Sequence, residues 1–138
     1  MALLIGFLLV MLLGVIHHFS LRWLDLLTGT ARDKPNRTIF LVFNGLLTIH
    51  TAEILLFAVA YRILLTLDSM GGFTAFYDGS WGDLIYFSGI NFATLGYTEI
   101  ETHGPIRMIN MMQSLGGFMV LTWSATFIYS AWGRAFRE

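Results

Sequence analysis

The chain of 138 residues contains no cysteine, only two prolines and 12% charged residues. Without cysteine there are no disulfides, no thiolate chemistry and no Cys-ligated zinc or iron–sulfur centre. A soluble domain of this size carries about 25% charged residues. The shortage here argues against a soluble enzyme and against a disordered tail. The net charge of −1 leaves no basic surface to seek phosphate, so a nucleic-acid partner is not expected. What is present instead is apolar: 56% of residues are hydrophobic and the mean hydropathy is +0.68. That composition belongs in a lipid bilayer.

Three apolar stretches are long enough to span a hydrocarbon core about 30 Å thick. The first covers residues 1–22, the second 38–67 and the third 106–132. No basic leader precedes the first and no A-x-A site follows it, so it reads as a retained crossing rather than a cleaved signal. A fourth apolar segment, Trp81 to Phe92, is too short. It would rise about 18 Å, the length of a re-entrant or buried helix. Ser80 is placed to cap this helix within residues 80–92, with Asp83 three positions on as in a capping box. Between these lie a polar loop at 23–37, a Gly- and Asp-rich outer turret at 68–79 and an outer loop at 100–105. A short tail covers 133–138.

Basic residues mark the inner side of a membrane. Arg22, Arg32, Lys34 and Arg37 follow the first stretch, and Arg134 and Arg137 follow the third. With three crossings these share one side. The expectation is a multi-pass cell-membrane protein with its amino terminus outside and its carboxyl terminus cytoplasmic. No helix carries arginine at every third position, so a voltage sensor is not expected.

Directly after the short helix comes Ala93-Thr94-Leu95-Gly96-Tyr97-Thr98-Glu99, residues 93–99. With the upstream Y-F-S-G-I-N-F-A, this T-L-G-Y-T-E row resembles the potassium-channel pore superfamily, whose filter reads T-V-G-Y-G followed by an acid. The resemblance runs from about Leu46 to Trp132. It implies an all-α membrane protein in which outer helix, re-entrant pore helix, filter loop and inner helix assemble as a homotetramer with three further copies. It implies no enzyme and no cofactor, only permeant K+ or Na+. Backbone carbonyls of Thr94, Leu95, Gly96 and Tyr97, with Thr98 at the outer end, would then replace the ion's hydration shell. Tyr97 would pack outward against the pore helix as a spacer. The family's second filter glycine is Thr98 here. A β-branched residue at positive φ is strained, so an altered outer ion site is expected. Two alternatives remain at this point: a non-conducting membrane subunit and a small membrane metal-binding protein.

Other residues stand out. Glu99 and Glu101 flank the expected outer mouth, where negative charge concentrates cations; Arg107 could pair with either, and His103 lies in the same loop. Gly116 and Gly117 occupy the place of an inner-helix hinge, or else permit close helix packing. Thr122, Ser124, Thr126 and Ser130 could line a cavity or bond back to their own helix. Glu53 and His50, three apart on one helix face, lie at the depth of the filter. Glu53 and Asn91 are expected to support the filter, with Glu53 bonding near Ser88, Asn91 or Tyr97. His17 and His18 end the first crossing near the inner face, whereas His50 lies about 18 Å up. The levels miss by roughly 12 Å, so a metal centre joining them is not expected.

Overall fold

The structure, a computed structural model, describes residues 1–28 and 34–136. Arg32, Arg137 and part of the 23–37 loop therefore lie outside the described residues. Four helices dominate: α1 (Ala2–Leu27), α2 (Pro35–Leu64), α3 (Trp81–Phe92) and α4 (Ile106–Phe136). Two short strands, β1 (Gly72–Ala75) and β2 (Ile100–His103), flank α3 in the chain. A single 3-10 turn, Asp68–Met70, precedes β1.

Each helix boundary has a local cause. Proline opens α2, where its missing N–H would be unpaired in any case and its fixed φ suits the first turn. Ser80 caps α3, its Oγ accepting the Asp83 N–H at 3.1 Å. The return half of the expected capping box is redirected. Asp83 Oδ2 accepts from the Asp78 N–H at 2.9 Å, and Asp78 Oδ1 accepts from the Ser80 N–H at 2.7 Å. Arg62, in the last turn of α2, donates to the Gly79 carbonyl at 2.9 Å and lies over the Trp81 ring. The entry into α3 is thereby tied to the end of α2.

Two long helices run past the stretches read from sequence, while α2 starts three residues earlier, at Pro35, and stops three residues earlier, at Leu64. α1 continues five residues beyond Arg22 and α4 four beyond Trp132. Charged and polar residues at those ends continue the helix instead of ending it. The turret and outer loop, read as irregular, each contribute a strand. β1 and β2 pair antiparallel in the register Gly72↔His103, Phe73↔Thr102, Thr74↔Glu101 and Ala75↔Ile100.

The pairs of facing residues show how the helices run. α1 meets α4 through Gly6 against Met112, and Gly116 against Val10 and Leu13. Asp25 bonds Arg134 at the far end, 2.7 Å apart. Position advances on both helices together, so α1 and α4 are parallel and their carboxyl ends share one end of the molecule. α3 sits in the principal core with Phe57 and Tyr61 of α2 and Ile106 and Ile109 of α4. A second cluster, Leu21, Leu24, Val42, Leu46 and Ala131, fills the opposite end.

α1 and α2 are long and apolar enough to cross a membrane. Only 22% and 17% of their most apolar stretches are buried within the chain. A core helix of a soluble protein would be mostly buried, so these surfaces face outward into something apolar. α4 has the length but not the same apolarity. Asn110, Gln113, Ser114 and Ser124 interrupt it, and Gln113 and Ser124 point into the chain.

Candidate permeation site and its support

The row 93–99 begins at the end of α3, and that end has a definite geometry. The Leu95 N–H reaches back to the Ile90 carbonyl at 3.0 Å, and the Thr94 N–H to the Asn91 carbonyl at 3.0 Å. These two bonds form a Schellman cap, with Thr94 in the left-handed position at φ 57°. Glycine normally takes that place; a β-branched residue there is strained. Gly96 also has positive φ, 62°, which its missing Cβ allows. Thr98 is not among the positive-φ residues. The strain expected at Thr98 therefore falls at Thr94, because the helix cap takes up the first residue of the row. Thr98 instead accepts the Ile100 N–H on its hydroxyl at 3.1 Å, a local turn that leads into β2.

Thr94, Leu95, Gly96 and Tyr97 all lie exposed on the single chain. Leu95 is 65% and Tyr97 76% exposed. The row is held at its two ends, by the α3 cap and by the β1–β2 ladder. Glu99 and Glu101 are exposed beside it. Among the described residues Arg107 forms no ion pair with either.

Behind α3 runs a buried network that sequence reasoning missed. Tyr61 Oη donates to Gln113 Oε1 at 2.7 Å. Gln113 Nε2 donates to the Ser88 carbonyl at 3.1 Å and to Ser88 Oγ at 2.7 Å. Ser88 Oγ donates in turn to the Ile54 carbonyl at 2.7 Å. Outer, pore and inner helices are thus joined by one chain of bonds, and Gln113 and Ser88 are fully buried. A signal was available: a glutamine inside a long apolar helix is expected to hydrogen-bond across to a neighbouring helix. Asn91 takes no part. Its Nδ2 donates to the Phe87 carbonyl one turn back in α3, while its own carbonyl accepts the Thr94 N–H at the start of the row.

A long outer helix, a capped short helix, an exposed T-L-G-Y row and a long inner helix thus occur in sequence. The family model described as "ion channel" matches residues 49–133, from the middle of α2 almost to the end of α4. The chain belongs to the potassium-channel pore superfamily. No curated protein and no solved structure matches it. α1 and the first half of α2 lie outside the superfamily match.

Within this pore-superfamily unit, Gly116 and Gly117 are contact points. α4 passes through both as unbroken helix. A Cβ on Gly116 would press on Val10 of α1, and one on Gly117 would overlap the carbonyl oxygen of Phe92, the last residue of α3. Of the two sequence readings, close packing is the one this geometry fits. The hydroxyl row resolves similarly. Thr122, Thr126 and Ser130 bond to their own helix's carbonyls. Ser124 does not.

Ser124 leads to the main correction. Its Oγ lies 3.4 Å from His17 Nε2, while His17 Nδ1 lies 2.8 Å from Glu53 Oε1. His50 Nδ1 lies 2.8 Å from Glu53 Oε2. Both carboxylate oxygens are occupied, and neither goes to Ser88, Asn91 or Tyr97. The histidine rings stack at 5.6 Å. The expected depth gap between His17 and His50 closes because α1 runs on to Leu27, which moves His17 about 15 Å away from the helix end. His18, by contrast, is exposed beside Trp123.

Proposed function

We propose that this protein is a passive channel, not an enzyme, conducting monovalent cations through an axial filter made of residues Thr94 to Thr98 from four identical chains. The observation that carries this reading is the exposed row itself. A strained cap and a short β ladder hold a T-L-G-Y segment that its own chain leaves uncovered, inside the region that matches the ion-channel family. Main-chain groups left open at membrane depth are tolerated only where protein covers them or where they line a watery path. Symmetry-related copies around an axis meet both conditions. Their carbonyls would stand where an ion's water stood, and Tyr97 would find its packing partner on a neighbouring chain.

In this reading α4 is the third crossing and α3 the re-entrant helix. The amino terminus lies outside and the carboxyl terminus in the cytoplasm. The Asp25–Arg134 pair supports the arrangement, since it puts the ends of α1 and α4 on one side. Glu99 and Glu101 would ring the outer mouth. Thr98 replaces a glycine, so the outermost carbonyl ring is weakened and K+ is preferred over Na+ only modestly.

Purified protein reconstituted in a planar bilayer tests the reading. Single-channel cation currents blocked by barium are expected, with native mass spectrometry giving four chains. Absence of current from a four-chain assembly would overturn conduction. A bi-ionic reversal potential strongly favouring K+ would overturn the weakened outer ring alone.

A further inference from the structure

Among the described residues, one group of metal-ligand-type side chains comes together away from the permeation row: His17, His50 and Glu53. We propose that these three residues form a buried binding site for a divalent first-row transition metal ion of the zinc class.

Four observations carry this. The donors are two imidazole nitrogens and a carboxylate, a set that such ions take and that Mg2+ or Ca2+ does not favour. They come from two helices far apart in sequence, yet one ligand atom from each residue lies within 4.8 Å of the others. His17 Nε2 lies 3.4 Å from Ser124 Oγ. A ligating histidine almost always has its second nitrogen engaged in this way, which fixes ring and tautomer. The walls are apolar and aromatic: Trp123 lies 5.4 Å from the His17 ring and Phe92 lies 5.6 Å from that of His50. His17 and Glu53 are 0% and 1% exposed.

The geometry needs a side-chain adjustment of about an ångström. Metal–nitrogen and metal–oxygen bonds of about 2.0–2.1 Å at tetrahedral angles set the donors roughly 3.3 Å apart. Each 2.8 Å nitrogen–oxygen pair would open by about half an ångström, and ligand atoms now spread over up to 4.8 Å would draw in toward the same spacing by side-chain rotation. Each ring must present a bare Nδ1 to the ion, so its proton moves to Nε2. On His17 that proton then points at the Ser124 oxygen. A clamp between helices alone would need only neutral amides. Three ionisable groups in the interior of a membrane chain are costly unless something uses them.

The site needs no conduction to exist, so binding is measured apart from current. The tag-free protein is stripped with chelator, equilibrated with Zn2+, passed over a desalting column and analysed for metal. One zinc per chain is expected. Glu53→Gln and His50→Gln should weaken retention about tenfold or more, while His103→Gln, in the outer strand, should retain it. Equal retention by all variants, or none by the wild type, overturns the proposal. Should the variants fail to fold, X-ray absorption on the zinc-loaded wild type decides. Two imidazoles in the shell support the site; one or none overturns it.

Discussion

At the scale of single residues, Thr94 carries the clearest physical tension. Left-handed backbone costs an ordinary residue about 1–2 kcal/mol, and branching at Cβ adds to the crowding. Glycine would remove that strain but return about 0.5–1 kcal/mol through the freer unfolded chain. Thr94→Gly should therefore stabilise the protein by up to about 1 kcal/mol in thermal melts, while deleting a hydroxyl from the row. A loss of stability would mean that the Thr94 side chain is held by contacts stronger than the strain. The sequence made the strained threonine visible but placed it at Thr98. The filter pattern puts a glycine at position 98, and nothing in the letters shows that the Schellman cap of α3 extends to Thr94. Glu53 teaches the same lesson. Its oddity in an apolar helix and its neighbour His50 are legible, but its partner His17 is not, because that contact depends on how far α1 continues.

Among the elements, α3 is the most legible. Its signal is local: a capping serine, an apolar run of fixed length and an abrupt change to the T-L-G-Y row. The strands were illegible for the opposite reason. Four residues such as Gly72-Phe73-Thr74-Ala75 show no useful alternation, and they become a strand only by pairing with residues 100–103. Because the α3 cap is local, it can be tested locally. Ser80→Ala removes the acceptor for the Asp83 N–H and should cost about 1 kcal/mol. The same turn has a pH signature. The Ser80 groups bonded to Asp78 hold its carboxyl below the usual carboxylate range, with the Asp83 contact adding to this. A depressed folded value means that the contribution is complete above the ordinary value of about 3.9 and fades only as pH falls through the lower folded one. Fluorescence of Trp81, the first residue of α3, followed across an acid titration should therefore stay constant at pH values near 4. An earlier change, absent in Asp78→Asn, would contradict this.

For the whole molecule, the question is what α1 adds to a pore unit whose family match begins at residue 49. It lies parallel to α4, covers Gly116 and brings His17 to Glu53. The exposed Asp25–Arg134 pair at its end is worth little, since surface pairs contribute at most about 1 kcal/mol. The buried pair is different. Breaking one by removing a single partner costs about 3–5 kcal/mol, because the remaining charge stays buried without compensation. His17→Leu should thus lower stability far more than Arg134→Ala, although the leucine fills similar space. Thermal unfolding in one detergent, with both variants side by side, measures the difference. Equal and small losses would mean that α1 is held by apolar contact alone and that Glu53 is satisfied by His50 without it. A large loss for His17→Leu alone would establish α1 as a built-in part of the pore's frame, fastened at the level where α3 ends, since the ring that His17 stacks on is the one packed against Phe92.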